Sequence, residues 1–262
     1  MTIRTSSFSW ILILFSLPLM LLIILPLSKM IFTPSWAALW ESLRDPVVLE
    51  AIGRSLGTSL AAAFICLVFG TPLAYLMARR DFPGKSLVEA IIDLPIMIPH
   101  PVIGIAILSL AGRNHPLGRF LADLGIAVMG TFTGIIVVLT FVGMPFYINA
   151  VKAGFEAIPP RLENVSRSLG ASMRATFFRI TLPLAWRSMI LGMIMCTARA
   201  ISEFGAVIIV AYHPMTAPVL IYERFTAYGL RYSQPVSVWL ICVSLLLFVA
   251  MRLVSRQKQE MR

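Results

Sequence analysis

Residues 158–183 read IPPRLENVSRSLGASMRATFFRITLP, the pattern of two short helices joined by a tight elbow. Ile158, Leu162, Val165 and Leu169 recur at steps of four, three and four, which puts them on one helical face. Glu163 and Arg167 stand as an i,i+4 ion pair on the other. Pro159 and Pro160 open this helix, Gly170 supplies a left-handed stop, and Ser172 is placed to cap a second helix from Met173 towards Pro183. The whole connection, 152–188, is too long for a turn and too patterned for a flexible linker.

On either side the chain turns apolar. Runs at 10–32, 52–78, 88–111, 130–151, 189–212 and 236–254 are each long enough to cross a bilayer, which takes about 20 apolar residues per helix. The composition agrees: of 262 residues, 58% are hydrophobic and 13% charged, with a mean hydropathy of +0.87, far from the balance of a soluble domain. The fold class expected is an all-α membrane protein of about six spans, a single transmembrane domain over 1–262 with its core at about 52–254. The first run exceeds the core of a signal peptide and no A-x-A cleavage site follows it, so it reads as a retained helix. The net charge of +10 sits in short loops beside apolar runs, where it sets topology and meets lipid headgroups, so nucleic-acid binding is excluded.

With the N-terminus inside, fourteen of the 22 Lys and Arg residues fall on the cytoplasmic side and seven on the other, with Arg199 inside a span. The inner set includes Arg4, Arg79, Arg80, Lys85, Lys152, Lys258 and Arg262; the outer set includes Lys29, Arg44, Arg54, Arg113 and Arg224. Both termini are therefore expected in the cytoplasm. Pro95, Pro99 and Pro101 demand a break or sharp kink in the third run near its cytoplasmic end, and irregular backbone at that depth is tolerated only beside protein or a water-filled cavity. His100, within this segment, reads as a structural polar contact. Cys66, Cys196 and Cys242 fall in apolar stretches without ligand spacing and read as buried small residues, with no metal site, disulfide or cofactor implied. Gly84-Lys85-Ser86 imitates the end of a phosphate-binding loop, but Arg79 stands where its first glycine belongs and a span precedes it, so the chain is read as lacking a nucleotide site.

The loop resembles the signature of ABC importer permease subunits, E-A-A, three residues, Gly, nine residues, I-x-L-P. Gly170, Ile180, Leu182 and Pro183 match it; Asn164, Val165 and Ser166 replace E-A-A, with Glu163 one position earlier. Phe82-Pro-Gly-Lys-Ser, Asp93-Leu-Pro-Ile-Met-Ile-Pro-His and Ala198-Arg-Ala-Ile-Ser-Glu-Phe-Gly-Ala are similar to molybdate and tungstate permeases, with sulfate permeases as near relatives. The resemblance implies a type I importer permease in the cell membrane. It further implies a homodimer with two ABC ATPase subunits and an external oxyanion-binding protein, working by alternating access and doing no ATP chemistry itself. It makes the loop a coupling helix docked on the ATPase, with Glu163, Ser166, Leu169, Gly170, Ala171, Ser172 and Arg174 as contact candidates. The longest outer loops, 28–51 and 213–234, are the candidate surfaces for the binding protein. Sulfate, thiosulfate or another solute is the alternative cargo.

Arg199 and Glu203 lie within the fifth run, where an ionisable group needs a partner or water. With Gly192, Cys196, Ser202 and Ala206 they form a small polar stripe that suits either a structural network or a pathway lining, and an Arg199–Glu203 pair is within helical reach. An intramembrane enzyme built on His100, Arg199 and Glu203 lacks any nucleophile–base or metal-ligand arrangement.

Overall fold

The structure, a computed structural model, describes residues 7–112 and 114–257. Arg4, Arg113, Lys258 and Arg262 of the orientation count lie outside the described residues. Every regular element among the described residues is helical. In chain order they are α1 Ser7–Phe32, α2 Trp36–Arg44, α3 Pro46–Ile65, a π-helical turn Cys66–Gly70, α4 Thr71–Arg79, α5 Lys85–Met97, α6 His100–Ala111, α7 Pro116–Asp123 and α8 Phe132–Glu156. Then follow α9 Pro160–Ser168, α10 Met173–Thr176, a second π turn Phe177–Thr181, α11 Leu182–Ile201, α12 Gly205–Val210, α13 Ala217–Tyr228 and α14 Leu230–Gln257.

Five helical stretches are long and apolar enough to cross a membrane: Leu12–Phe32, Pro46–Arg79, Phe132–Glu156, Met173–Ile201 and Leu230–Leu253. The pair α5 and α6, bent by 113°, makes the sixth if taken as one span. The break falls at Ile98 and Pro99, which adopt ψ 135° and 130° in succession. Proline disfavours the helical conformation in the residue before it, which favours the break at Ile98. Pro101 sits in the first turn of α6, where its missing N–H is no loss. The break thus divides the third run near its middle, not near one end as expected.

The fifth run also departs from expectation. The second loop helix does not stop at Pro183 but runs on as α10, the π turn and α11, and the span ends at Ile201. Residues 202–204 break it, and α12 is a separate helix. Each π turn stands just before a proline, Pro72 in α4 and Pro183 in α11. Proline withholds a donor and crowds the carbonyl four residues back, and a widened turn relieves both without ending the helix.

The second span, 34 residues long, is about 51 Å at 1.5 Å per residue, well beyond a hydrocarbon core of about 30 Å. It begins at an Asp45 cap, whose side chain accepts from Val47 N at 2.8 Å, with Pro46 in the first turn. The centre of the bundle is α8, packed on α11, α3 and α4. The α8–α11 approach depends on small residues: a Cβ on Gly143 would lie 2.6 Å from Cys196 Sγ, and one on Gly154 would lie 2.1 Å from Ser188 Oγ. Around α8 the core divides into a cluster with Ile103, Val138, Val142 and Val207, and a second with Met77, Tyr147, Phe155 and Met189. Cys66 and Cys196 are buried as expected, whereas Cys242 is exposed on α14. The two long connections are themselves structured: 28–51 holds α2, and 213–234 holds α13, which packs on α14 and α3.

Candidate functional site

The helix, elbow and helix form as read from the sequence. Gly170 has φ +89°, Gly170 N donates to Arg167 O at 3.0 Å and Ala171 N donates to Ser166 O at 3.2 Å, the paired closure of a Schellman turn. Ser172 Oγ accepts from Ala175 N at 3.2 Å and so starts α10. Asn164, Arg167, Ser168, Gly170, Ala171, Ser172 and Met173 line an open depression of about 610 Å³ on the elbow.

Which side of α9 faces the body is the reverse of what its hydrophobic periodicity suggests. Leu162, Val165 and Leu169 are 44%, 49% and 83% exposed, and Met173 beyond the elbow is 52% exposed. The polar side turns inward. Glu163 Oε1 accepts from Arg79 Nε at 2.9 Å and from Thr181 Oγ1 at 3.1 Å, and Oε2 accepts from Tyr75 Oη at 3.3 Å. Arg79 also donates from Nη2 to Ile158 O at 2.9 Å. The expected Glu163–Arg167 pair is therefore replaced by Glu163–Arg79, and Arg167 is exposed. Ser166 is buried against Thr176, with 3.0 Å between hydroxyls. Of the seven loop candidates, Glu163 and Ser166 face the body. Leu169, Gly170, Ser172 and Arg174 are exposed, and Ala171 is half-buried.

A second polar cluster joins the two helix breaks. Glu203, whose side chain is 1% exposed, receives Arg199 Nη2 at 2.8 Å and His100 Nδ1 at 3.1 Å on Oε2, and Ala206 N at 2.9 Å on Oε1. Arg199 Nη2 also donates to His100 Nε2 at 2.7 Å, so the tautomer protonated on Nδ1 serves both neighbours. The Ala206 N–Glu203 bond holds the first turn of α12, and the contacts of His100 with Arg199 and Glu203 fasten α6 to the end of α11. Gly205 and Gly104 let α6 and α12 meet: a Cβ on Gly104 would lie 2.8 Å from Ala206 O. Ser202, the third member of the expected stripe, is exposed and donates to Arg199 O at 3.0 Å. His100 is the partner that sequence reasoning left outside the pair, although its place between Pro99 and Pro101 marked it as a residue at a break. Arg79, Tyr75 and Thr181 were likewise missed as partners of Glu163.

Residues 70–262 match the family of binding-protein-dependent transport system inner membrane components. The chain belongs to that family. The permease is 49% identical over 212 residues to the molybdate/tungstate transport system permease protein WtpB of Pyrococcus abyssi, covering 81% of this chain and 80% of that one. It is 42% identical over 244 residues to the protein of the same name from Methanocaldococcus jannaschii, covering 93% and 95%. The sulfate transport system permease protein CysT of Synechocystis stands further off, at 28% over 245 residues, covering 91% and 86%. In fold it matches a bacterial ABC transporter involved in import of the acidic polysaccharide alginate, with TM-score 0.69 at 18% identity, covering 95% of this chain and 96% of that one. The architecture is that of type I ABC importer permeases, and the permease is a multi-pass inner-membrane protein.

Proposed function

We propose that this chain is the translocating subunit of an ATP-driven importer for molybdate or tungstate, working as a homodimer with two separate ATPase subunits and an external oxyanion-binding protein. Both termini and the 152–188 connection lie in the cytoplasm. ATP hydrolysis belongs to the partner, and this chain supplies the path and the lever. The observation that carries the lever is the exposed apolar set of Leu162 and Val165 on α9 with Leu169 and Met173 on either side of the elbow, where the polar side of α9 is already bonded inward. Apolar side chains of that size displayed at an elbow outside the spans suit burial in a partner's groove. Gly170, Ala171, Ser172 and Arg174 complete the docking surface, while Glu163 and Ser166 support it from behind. The cargo reading rests on similarity to permeases named for molybdate and tungstate. The triad of His100, Arg199 and Glu203 holds the two broken spans as one unit beside the path; with Arg199 neutralised by Glu203, it is a structural support and not an anion trap.

The test is uptake by vesicles carrying the permease, its ATPase and its binding protein. Molybdate and tungstate uptake should require ATP and be outcompeted by each other at low concentration. Equal competition by sulfate would remove the narrow cargo. ATPase binding and ATP-dependent uptake that both survive Leu169→Asp would remove the lever.

A further inference from the structure

We propose that Glu163 is a positioning residue for coupled transport: its carboxylate, gripped by Arg79, Tyr75 and Thr181, carries movement of α9 into the second and fifth spans together and makes no contact with the ATPase. The inference rests on the permease reading above. It starts from how little else holds α9. The helix has nine residues, and its apolar residues point away from the body, so burial does not fix it in place. The Ser166–Thr176 bond ties it to α10, the first turn of the fifth span. The Glu163 carboxylate reaches further, to the second span and to the far end of the π turn in the fifth.

That reach is threefold. Arg79 is the last residue of the second span, and it also holds Ile158 O at the joint between α8 and α9. Tyr75 lies one helical turn earlier on the same span, packed edge-on against Phe155 of α8 and Phe177 of the π turn, with ring centroids 5.3 and 4.8 Å away. Thr181 closes the π turn at the root of the fifth span. The Arg79 and Glu163 side chains are 11% and 13% exposed, so their charge-assisted bonds are little screened. A π turn has a neighbouring α register available, which makes it a place where a helix can yield in a discrete step. Displacing α9 therefore pulls on the end of one span and on the pliant turn of another through a single carboxylate.

The experiment uses the complete transporter in vesicles, with loaded binding protein outside and ATP hydrolysis and anion uptake measured together. Glu163→Gln keeps the shape and removes the charge. The anion moved per ATP should fall on the order of tenfold, within the usual range for coupling between sites, while the ATPase stays bound and active. Because the readout is a ratio, a smaller folded fraction does not change it. The reversed pair, Arg79→Glu with Glu163→Arg, should regain coupling that each single reversal loses. In the permease alone, hydrogen exchange over 160–168 should quicken in Glu163→Gln while 182–201 is unchanged. An unchanged ratio, loss of ATPase binding in Glu163→Gln, a reversed pair no better than the singles, or unchanged exchange would each overturn the proposal. Failure of the permease reading shows separately, as an unaltered chain that neither binds the ATPase nor takes up anion with ATP.

Discussion

Glu203 is a carboxylate with a 1% exposed side chain, and it is tolerable at that depth because three donors converge on it. Glu203→Leu would strand Arg199 and His100, and we expect a loss of about 3 kcal/mol of stability, the lower end for breaking a buried pair. Arg199→Met added to Glu203→Leu should restore part of it, since an apolar pair carries no unmatched charge. Unfolding midpoints in detergent check this; a double variant no more stable than the single contradicts it. The sequence made this pair visible because partners four residues apart share a helix face. His100 is 99 residues from Arg199, and such a distant partner leaves no trace in local spacing. Arg79 was hidden differently: a cation at a span end reads as a topology signal, and only packing turns it towards Glu163.

Two of the glycines with positive φ separate backbone strain from function. Gly170 and Gly84 have φ +89° and +86°, and neither has an atom within 4 Å of a Cβ position, so a substitution meets strain without a clash. Either Gly→Val change should cost about 1–2 kcal/mol for the left-handed backbone. Only Gly170→Val should also lower ATPase stimulation by loaded binding protein, because it re-aims the elbow. Equal stimulation in the two variants would show that elbow geometry does not matter. The same elbow shows where local reading succeeds: Gly170 and Ser172 fix their turn through bonds within a few residues. It also shows where such reading stops. Periodicity found the apolar face of α9 but not which way it points, because in an assembly the apolar face can be kept for a partner. The helix expected to run from Met173 towards Pro183 continues through that proline, and the π turn before it is the accommodation that local rules do not anticipate.

At the scale of the molecule, the proposed orientation rests on the expected balance of fourteen inner to seven outer cations, through the preference of basic loops for the cytoplasm. In that orientation, with α5 and α6 as one span, the α9 elbow would lie on the cytoplasmic side and α2 with α13 on the other, so sidedness decides whether the elbow can meet an ATPase at all. The reading is tested by single cysteines in a chain with Cys242, the exposed native thiol, replaced by serine. Ser168→Cys on the elbow and Ala37→Cys on α2 both occupy exposed positions. A membrane-impermeant maleimide should modify Ala37→Cys in right-side-out vesicles and leave Ser168→Cys untouched, and inverted vesicles should exchange the two results. Co-assembled ATPase should then slow labelling of Ser168→Cys while leaving Ala37→Cys unaffected, since the first lies on the rim of the elbow depression and the second on the far side. Labelling of Ser168→Cys from outside would put the exposed apolar stripe where no ATP-driven partner reaches it. The charge balance, the lever and the anchoring role of Glu163 would then fall together, because each requires the elbow inside the cell.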